Sequence, residues 1–287
     1  MKDDALTVSK LNKSFKRFAL KDISFSVKKG SVVGLIGENG SGKSTTISCI
    51  LGQVIPDSGT VEIYGTNALA NPKIHNCVGY SSDAKGFPGV FNAKMISSIM
   101  KDLFEDWQEE NFFRFLERFD VPLDRKIAQM SRGMSVKLSI AVALCHNADL
   151  LLLDEATAGL DPVVREEILD LLQEFMEDEN HAILMTSHIT SDLERIADSI
   201  LYIQDGRLLF EISREELENY GIAQLTSDQA GFVDDALIAV TRRQSMNTEA
   251  LIRNRAEFSR RYPDYAITPA TLDDMIVMLS KGDEVKL

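Results

Sequence analysis

The stretch Val32-Val33-Gly34-Leu35-Ile36, followed at once by Gly37-Glu38-Asn39-Gly40-Ser41-Gly42-Lys43-Ser44, constrains this chain more than any other. The apolar run is β-branched where a buried parallel strand wants it. The eight residues after it fit G-x-x-x-x-G-K-[ST], and a helix is expected from about Lys43 to Leu51, with Gly52 as its stop. A triphosphate needs several donors at once, and glycines let backbone N–H groups close around it without a Cβ in the way. The helix N-terminus adds its dipole to the same anion. Lys43 would reach the β- and γ-phosphates, and the Ser44 hydroxyl would ligate Mg²⁺. A chance glycine-rich turn would not need the flanking strand and helix.

Composition narrows the setting. With 287 residues, one large α/β domain plus appendages is expected. The net charge of −13 argues against a nucleic acid or an anionic membrane surface as the main partner. Cys49, Cys77 and Cys145 are widely spaced in apolar contexts, which reads as reduced core thiols of a cytosolic protein. No stretch reaches the roughly 18 uninterrupted apolar residues of a membrane span. The start MKDDALTVSK is not a signal peptide. If the protein works at a membrane, another polypeptide crosses it.

Residues 5–27 alternate between apolar and polar, as half-buried antiparallel strands do. Phe15 and Phe18 fall in the polar loop between them, either as hairpin anchors or as a face for stacking on adenine. Pro56-Asp57-Ser58-Gly59 is a turn, followed by strands over Thr60–Tyr64 and Cys77–Ser81. Residues 91–128 carry Phe, Met, Leu and Trp107 at helical spacing, consistent with two or three amphipathic helices. Met130-Ser131-Arg132-Gly133-Met134 precedes another helix. The leucines 150–153 form a strand ending in Asp154-Glu155, and Pro162 opens a helix to about Glu179. A strand over Ala182–Thr186 leads to Ser187-His188, and Ser191-x-x-Glu194 reads as a capping box. Ser199–Gln204 and Arg207–Glu211 form a hairpin about Asp205-Gly206, and Ser213-x-x-Glu216 caps a further helix. Beyond 220 the pattern weakens: a strand over Ala236–Thr241, a helix over Thr248–Arg255, and a last helix over Ala270–Ser280 closed by Gly282.

The second carrier of chemistry is LLLLDE. A buried strand ending in Asp154 puts a carboxylate at the C-terminal edge of the sheet, where α/β folds keep their ligands. Asp154 would hold Mg²⁺, and Glu155 would orient or deprotonate the attacking water. His188 follows a strand and precedes a helix; it reads either as a satisfied structural histidine or as a γ-phosphate contact.

In their order these segments resemble the ATPase subunits of ATP-binding-cassette transporters, over residues from about 5 to 211. The resemblance rests on GENGSGKST as Walker A, SRGM plus a helix as the signature segment, LLLLDEATAGLDP as Walker B with the D-loop, and Ser187-His188 as the switch. It implies an α/β P-loop NTPase core with an antiparallel β subdomain and an inserted α-helical subdomain over about 86–145; beyond the resemblance, the pattern of the tail itself reads as a small C-terminal α/β appendage over 212–287. The resemblance also implies nucleotide contacts from Gly37, Asn39, Gly40, Ser41, Gly42, Lys43, Ser44 and Thr45, with Phe15 stacked on adenine. Glu155 would be the catalytic carboxylate, and His188 would touch the γ-phosphate. Two cassettes would sandwich two ATP molecules head to tail. Ser131 and Gly133, at a helix N-terminus, would then cap the nucleotide on the partner's P-loop.

Three positions depart from the family. Arg132 and Met134 replace the glycine and glutamine of the common LSGGQ signature. Asp83 stands where a glutamine is usual; it would still reach Mg²⁺ through water. The S-[KR]-G-M form and the tail TLDDMIVMLSKG look most like cassettes of bacterial exporters for antimicrobial peptides, lantibiotics and phenol-soluble modulins.

The expected protein is therefore an ATP-hydrolysing motor using ATP and Mg²⁺, dimerising with itself or with a second cassette. It would drive a separate transmembrane permease from the cytoplasmic face of the cell membrane, without inserting into it and without binding nucleic acid. One rival is a soluble cassette ATPase acting mechanically on ribosomes or DNA; such proteins commonly carry two cassettes or a long coiled-coil insertion. The other is a regulatory module that barely hydrolyses, which the intact Asp154, Glu155 and His188 speak against.

Overall fold

Antiparallel pairing opens the chain: β1 (Asp4–Ser14) pairs with β2 (Ala19–Lys28). The computed structural model describes residues 3–82, 86–243, 247–281 and 283–284. They fall into two compact units, Met1–Glu211 and Ile212–Leu287. In the first, β3 (Val32–Ile36) runs into α1 (Lys43–Ile50), and β4 (Ser58–Ile63) and β5 (Thr66–Asn67) complete a four-stranded sheet in the order β2-β1-β4-β5. A 3₁₀ turn over Pro72–Cys77 delivers β6 (Val78–Ser82).

Two amphipathic helices follow, α2 (Ala93–Leu103) and α3 (Glu109–Arg118), then α4 (Arg132–Leu144). Helix α4 lies so close to β6 that a Cβ on Gly79 would sit 2.3 Å from the Ala143 carbonyl oxygen. The remaining elements are β7 (Leu150–Asp154), α5 (Pro162–Phe175), β8 (Ala182–Ser187), α6 (Thr190–Ile196), β9 (Ser199–Gln204) and β10 (Arg207–Ser213). Their sheet has the order β10-β9-β3-β8-β7-β6, with β9, β3, β8, β7 and β6 parallel. The chain leaves β3 for the far strand β6 and returns through β7 and β8 past β3 to β9, so the neighbouring strands β3 and β8 send their connections in opposite directions beside the glycine loop.

All four leucines of β7 are fully buried, as both-face coverage demands. Each such side chain contributes about 1.5–3 kcal/mol of burial. A single apolar core joins Leu6, Val8 and Ile23 to Leu35, Leu152 and Leu184, with Ile47 and Ile50 of α1 among them. The helix N-terminus is thereby held rigidly above the parallel sheet. The three cysteines are free, Cys49 and Cys145 buried and Cys77 half-buried.

The second unit contains α7 (Arg214–Asn219), β11 (Gly221–Leu225), α8 (Ser227–Ala230), β12 (Ile238–Arg243), β13 (Thr248–Ile252), α9 (Arg255–Arg261), β14 (Ile267–Pro269), α10 (Leu272–Lys281) and β15 (Asp283–Glu284). Its strands form an antiparallel sheet in the order β14-β11-β13-β12-β15, over a core that includes Leu225, Ile252 and Phe258.

Three local expectations are corrected. Thr248–Ile252 is a strand, and the helix starts only at Arg255, because Asn254 caps it by accepting a hydrogen bond from Glu257 N. Helix α5 ends at Phe175 rather than near Glu179, because Asp178 closes a turn on Asn180 N. Helix α6 starts at Thr190 without a capping box; Ser187 Oγ instead accepts from Ile189 N.

Candidate functional site

Parallel register brings the chemical groups together. Ile36 of β3 pairs with Ser187 of β8, Thr186 with Asp154 of β7, and Asp154 with Ser82 of β6. The chain therefore leaves β3 into the glycine loop, β7 into Glu155 and β8 into His188 at one edge of one sheet.

The glycine loop is shaped by close contact. Gly42 has φ of 120°, and a Cβ there would lie 2.6 Å from Leu20 and 2.9 Å from the Phe18 ring. Gly42 is also the N-cap of α1 and supplies no side-chain acceptor, so the first-turn N–H groups of α1 have no side-chain cap. Ser41 is 5 % exposed, yet its Oγ has no hydrogen-bond partner among the described residues. Open amide donors, an orphaned buried hydroxyl and a lysine fit a phosphate chain.

Lys43 is buried, and its Nζ donates to the carbonyls of Gly37 (2.7 Å) and Glu38 (3.3 Å). The same nitrogen stands 3.2 Å from Glu155 Oε1, an ion-pair contact without hydrogen-bond alignment. Glu155 Oε2 faces His188 Nδ1 at 2.5 Å, with the imidazole half exposed. A carboxylate is an acceptor, so Nδ1 carries the proton in this contact. Glu155 adopts φ of 54°, a left-handed turn out of β7 that directs the chain away from the strand.

Thr186 organises both carboxylate positions. Its Oγ1 donates to Asp154 Oδ1 at 2.7 Å and accepts from Glu155 N at 3.0 Å. Sequence reasoning missed Thr186, because only the β7–β8 register reveals which residue stands beside Asp154. It also left Phe18 without a role beside the glycine loop; the contact with Gly42 depends on how the β1–β2 hairpin folds over α1.

Ser44 is exposed in the first turn of α1, and Thr45 is half-buried beside it. Mg²⁺ keeps several waters and phosphate oxygens and takes only one or two protein ligands. The Ser44 hydroxyl and the Asp154 carboxylate fit that requirement, although no group of three or more metal-binding residues occurs among the described residues. Asp83 lies outside the described residues. Asn39 and Gly40 are exposed at the loop tip, and Phe15 is 48 % exposed with its ring centroid 6.5 Å from that of Phe18.

Ser131 and Gly133 lie elsewhere. Ser131 is the N-cap of α4, its Oγ accepting from Met134 N at 3.2 Å. Ser131, Arg132, Gly133 and Met134 share a pocket of about 370 Å³ with Gly159, Leu160 and Asp161 of the loop before α5, and no glycine-loop residue lines it. Gly159 has φ of 66°, and a Cβ on it would meet Arg132 Nη1 at 2.7 Å. Arg132 thus lies against the D-loop of its own chain.

The family described as "ABC transporter" matches residues 20–158. The ABC transporter ATP-binding protein YtrB of Bacillus subtilis (strain 168) is 30% identical over 210 residues, covering 73% of this chain and 72% of that protein. The lantibiotic transport ATP-binding protein SrtF of Streptococcus pyogenes is 31% identical over 219 residues, covering 75% and 93%. The bacitracin transport ATP-binding protein BcrA of Bacillus licheniformis is 34% identical over 205 residues, covering 68% and 65%. A solved structure described as the ATP-binding subunit of an ABC transporter superposes with a TM-score of 0.67 at 27% identity, covering 75% of this chain and 92% of that one. The glycine loop, the carboxylates at the sheet edge and these relatives together place the chain in the ABC transporter family, as an ATP-binding ATPase subunit.

Proposed function

We propose that this ATPase is the motor subunit of a bacterial exporter of peptides or antimicrobials, dimerising on ATP to drive a separate membrane permease. The observation that carries the reading is the convergence of Lys43, Glu155 and His188 at one sheet edge. The relatives named for bacitracin and lantibiotic transport support the substrate class. Among the described residues no helix is long and apolar enough to cross a membrane. In this reading the permease would be a separate polypeptide, and the motor would sit at the inner face of the membrane. Residues 1–211 would be the nucleotide-binding domain, with 86–145 as its helical subdomain. Residues 212–287 would be an appendage that supports the dimer or regulates it.

In the proposed mechanism Gly37, Asn39, Gly40, Ser41, Gly42 and Thr45 line the phosphate chain, and Phe15 stacks on the adenine. Lys43 leaves its carbonyl partners for the β- and γ-phosphates, and its charge stabilises the equatorial oxygens as they gain charge. Glu155 orients a water and takes its proton while the new P–O bond forms and the bond to the β-phosphate oxygen breaks. His188 contacts the γ-phosphate and, through Nδ1, fixes the Glu155 carboxylate. Ser44 and Asp154, with Asp83 through water, would hold Mg²⁺, which would supply charge neutralisation for the phosphate chain. Ser131 and Gly133, at the N-terminus of α4, would close over the nucleotide held by a second cassette. That role suits their position in a pocket remote from their own glycine loop.

A tagged pull-down from detergent-solubilised native membranes, read by mass spectrometry, tests the transporter reading. Recovery of a multi-spanning membrane protein near one-to-one supports it and shows whether the second cassette is the same chain. Recovery only from the soluble fraction, with ribosomes or DNA, overturns it.

A further inference from the structure

A buried carboxylate and a partly buried guanidinium, Asp192 and Arg165, stand close together without completing each other. Asp192, in the first turn of α6, is 2 % exposed, and its Oδ2 has no hydrogen-bond partner among the described residues. Its Oδ1 lies 3.9 Å from Arg165 Nη1, too far for a hydrogen bond, and the buried Nε of Arg165 is likewise unpartnered. Burying a carboxylate oxygen and a guanidinium Nε without partners is costly, and an apolar pair would pack the site more simply. The arrangement therefore points to work done by the pair and not to stability.

The pair's other contacts show what that work is. Arg165 Nη2 approaches the carbonyl of Leu160, in the D-loop, at 3.5 Å. Asp161 of the same loop is the N-cap of α5 and accepts from Val164 N at 3.1 Å, so the D-loop and the first turn of α5 form one piece. Asp192 sits four residues after His188, on the helix that begins at Thr190. Arg195 of that helix also pairs with Glu166 and Asp170 of α5, and Leu193, fully buried, packs on Gly34 of β3. Helix α6 thus touches the strand that feeds the glycine loop, and the switch histidine lies in the turn that leads into it.

We propose that Arg165 and Asp192 are positioning residues that lock the D-loop to the His188 helix. The D-loop and the histidine then adjust together when the phosphates are engaged. The gap of 3.9 Å allows the guanidinium and carboxylate to draw together into a closer pair, and that movement pulls on Leu160 at one end and on the turn before α6 at the other. The inference rests on the reading that His188 acts at the γ-phosphate.

The test uses the full-length chain and four variants: Asp192→Asn, Arg165→Gln, the double variant, and Asp192→Glu. Steady-state ATPase rates are compared with fluorescent ATP binding and with thermal midpoints. The expected result for Asp192→Asn and for Arg165→Gln is a loss of kcat of about tenfold or more with ATP affinity within about twofold. The double variant should be no worse than the singles, because both remove one link. Asp192→Glu, longer by one methylene, should retain most of the rate. Losses that multiply in the double variant, or a kcat unchanged in both singles, would overturn the inference. So would a fall in kcat that tracks the fall in thermal midpoint, since that marks a purely structural pair. A Glu155→Gln control separates the two levels: if it abolishes turnover while Asp192→Asn does not, only the present inference fails. If Glu155→Gln itself turns over freely, the reading of the site fails instead.

Discussion

His188 Nδ1 stands 2.5 Å from Glu155 Oε2, while the other oxygen of that carboxylate stands 3.2 Å from Lys43 Nζ. One carboxylate is thus shared by Lys43 and His188, the two residues proposed to meet the γ-phosphate. With the carboxylate facing both, the orientation of Glu155 is set by its neighbours and not by its own flexible side chain. The charge-assisted contact to His188 is the shorter of the two.

His188→Ala should therefore lower kcat by at least about tenfold while leaving ATP affinity within about twofold, because the contact acts on orientation in the reaction and not on ground-state binding. Steady-state kinetics beside fluorescent nucleotide binding would show the split. Equal losses in both quantities would mean that His188 only helps to bind.

Thr186→Val removes the hydroxyl that joins Asp154 Oδ1 to Glu155 N and keeps the shape of a fully buried side chain. Two hydrogen bonds are lost, at a stability cost of about 1–3 kcal/mol. Activity should fall further than that cost explains, since both carboxylate positions loosen together. Urea melts alongside ATPase rates would separate the two effects.

Much of this site was legible in the chain itself, for a physical reason. Phosphate binding demands glycine, lysine and a hydroxyl at close spacing, so Gly37–Ser44 states its chemistry locally, and Asp154-Glu155 does so at the end of an unbroken leucine strand. Thr186, Arg165 and Asp192 were not legible, because their roles arise from strand register and helix packing between residues far apart in the chain. The second unit shows the same limit. Thr248-Glu249-Ala250-Leu251-Ile252 has an apolar run too short to separate a strand period from a helical one, and the pairing with β11 and β12 settled it. The signal that could have helped was Asn254-x-x-Glu257, an N-cap pattern that puts the helix start after the run.

The cysteines give a pH test of the core. Burial pushes the Cys145 thiol up to about 12 and the Cys77 thiol up to about 11, from an ordinary value of 9.0. At pH 8 the thiolate fractions are then about 10⁻⁴ and 10⁻³, so iodoacetamide should label neither thiol readily in the native protein and both after denaturation. Cys77, half-buried, should react first as pH rises. Because the unfolded chain ionises from about pH 9 while the folded thiols hold their protons, stability should decline as pH rises from there towards 12. Rapid native labelling of Cys145 at pH 8 would contradict the packing of α4 described above.

Lys43→Ala removes the buried cation beside the glycine loop and leaves Glu155 facing His188 alone. ATP affinity should fall by about tenfold or more, the loss of one well-placed phosphate contact. Isothermal titration with ATP measures it, and unchanged affinity would count against the phosphate cradle.

The most direct measurement of the central claim is turnover and oligomeric state of Glu155→Gln with ATP, by phosphate release and light scattering. The account predicts that the variant binds ATP with wild-type affinity, turns over at less than about a tenth of the wild-type rate, and accumulates as an ATP-bound dimer. A variant that keeps more than that rate, or that stays monomeric at saturating ATP, would contradict Glu155 as the catalytic carboxylate of an ATP-closed pair of cassettes.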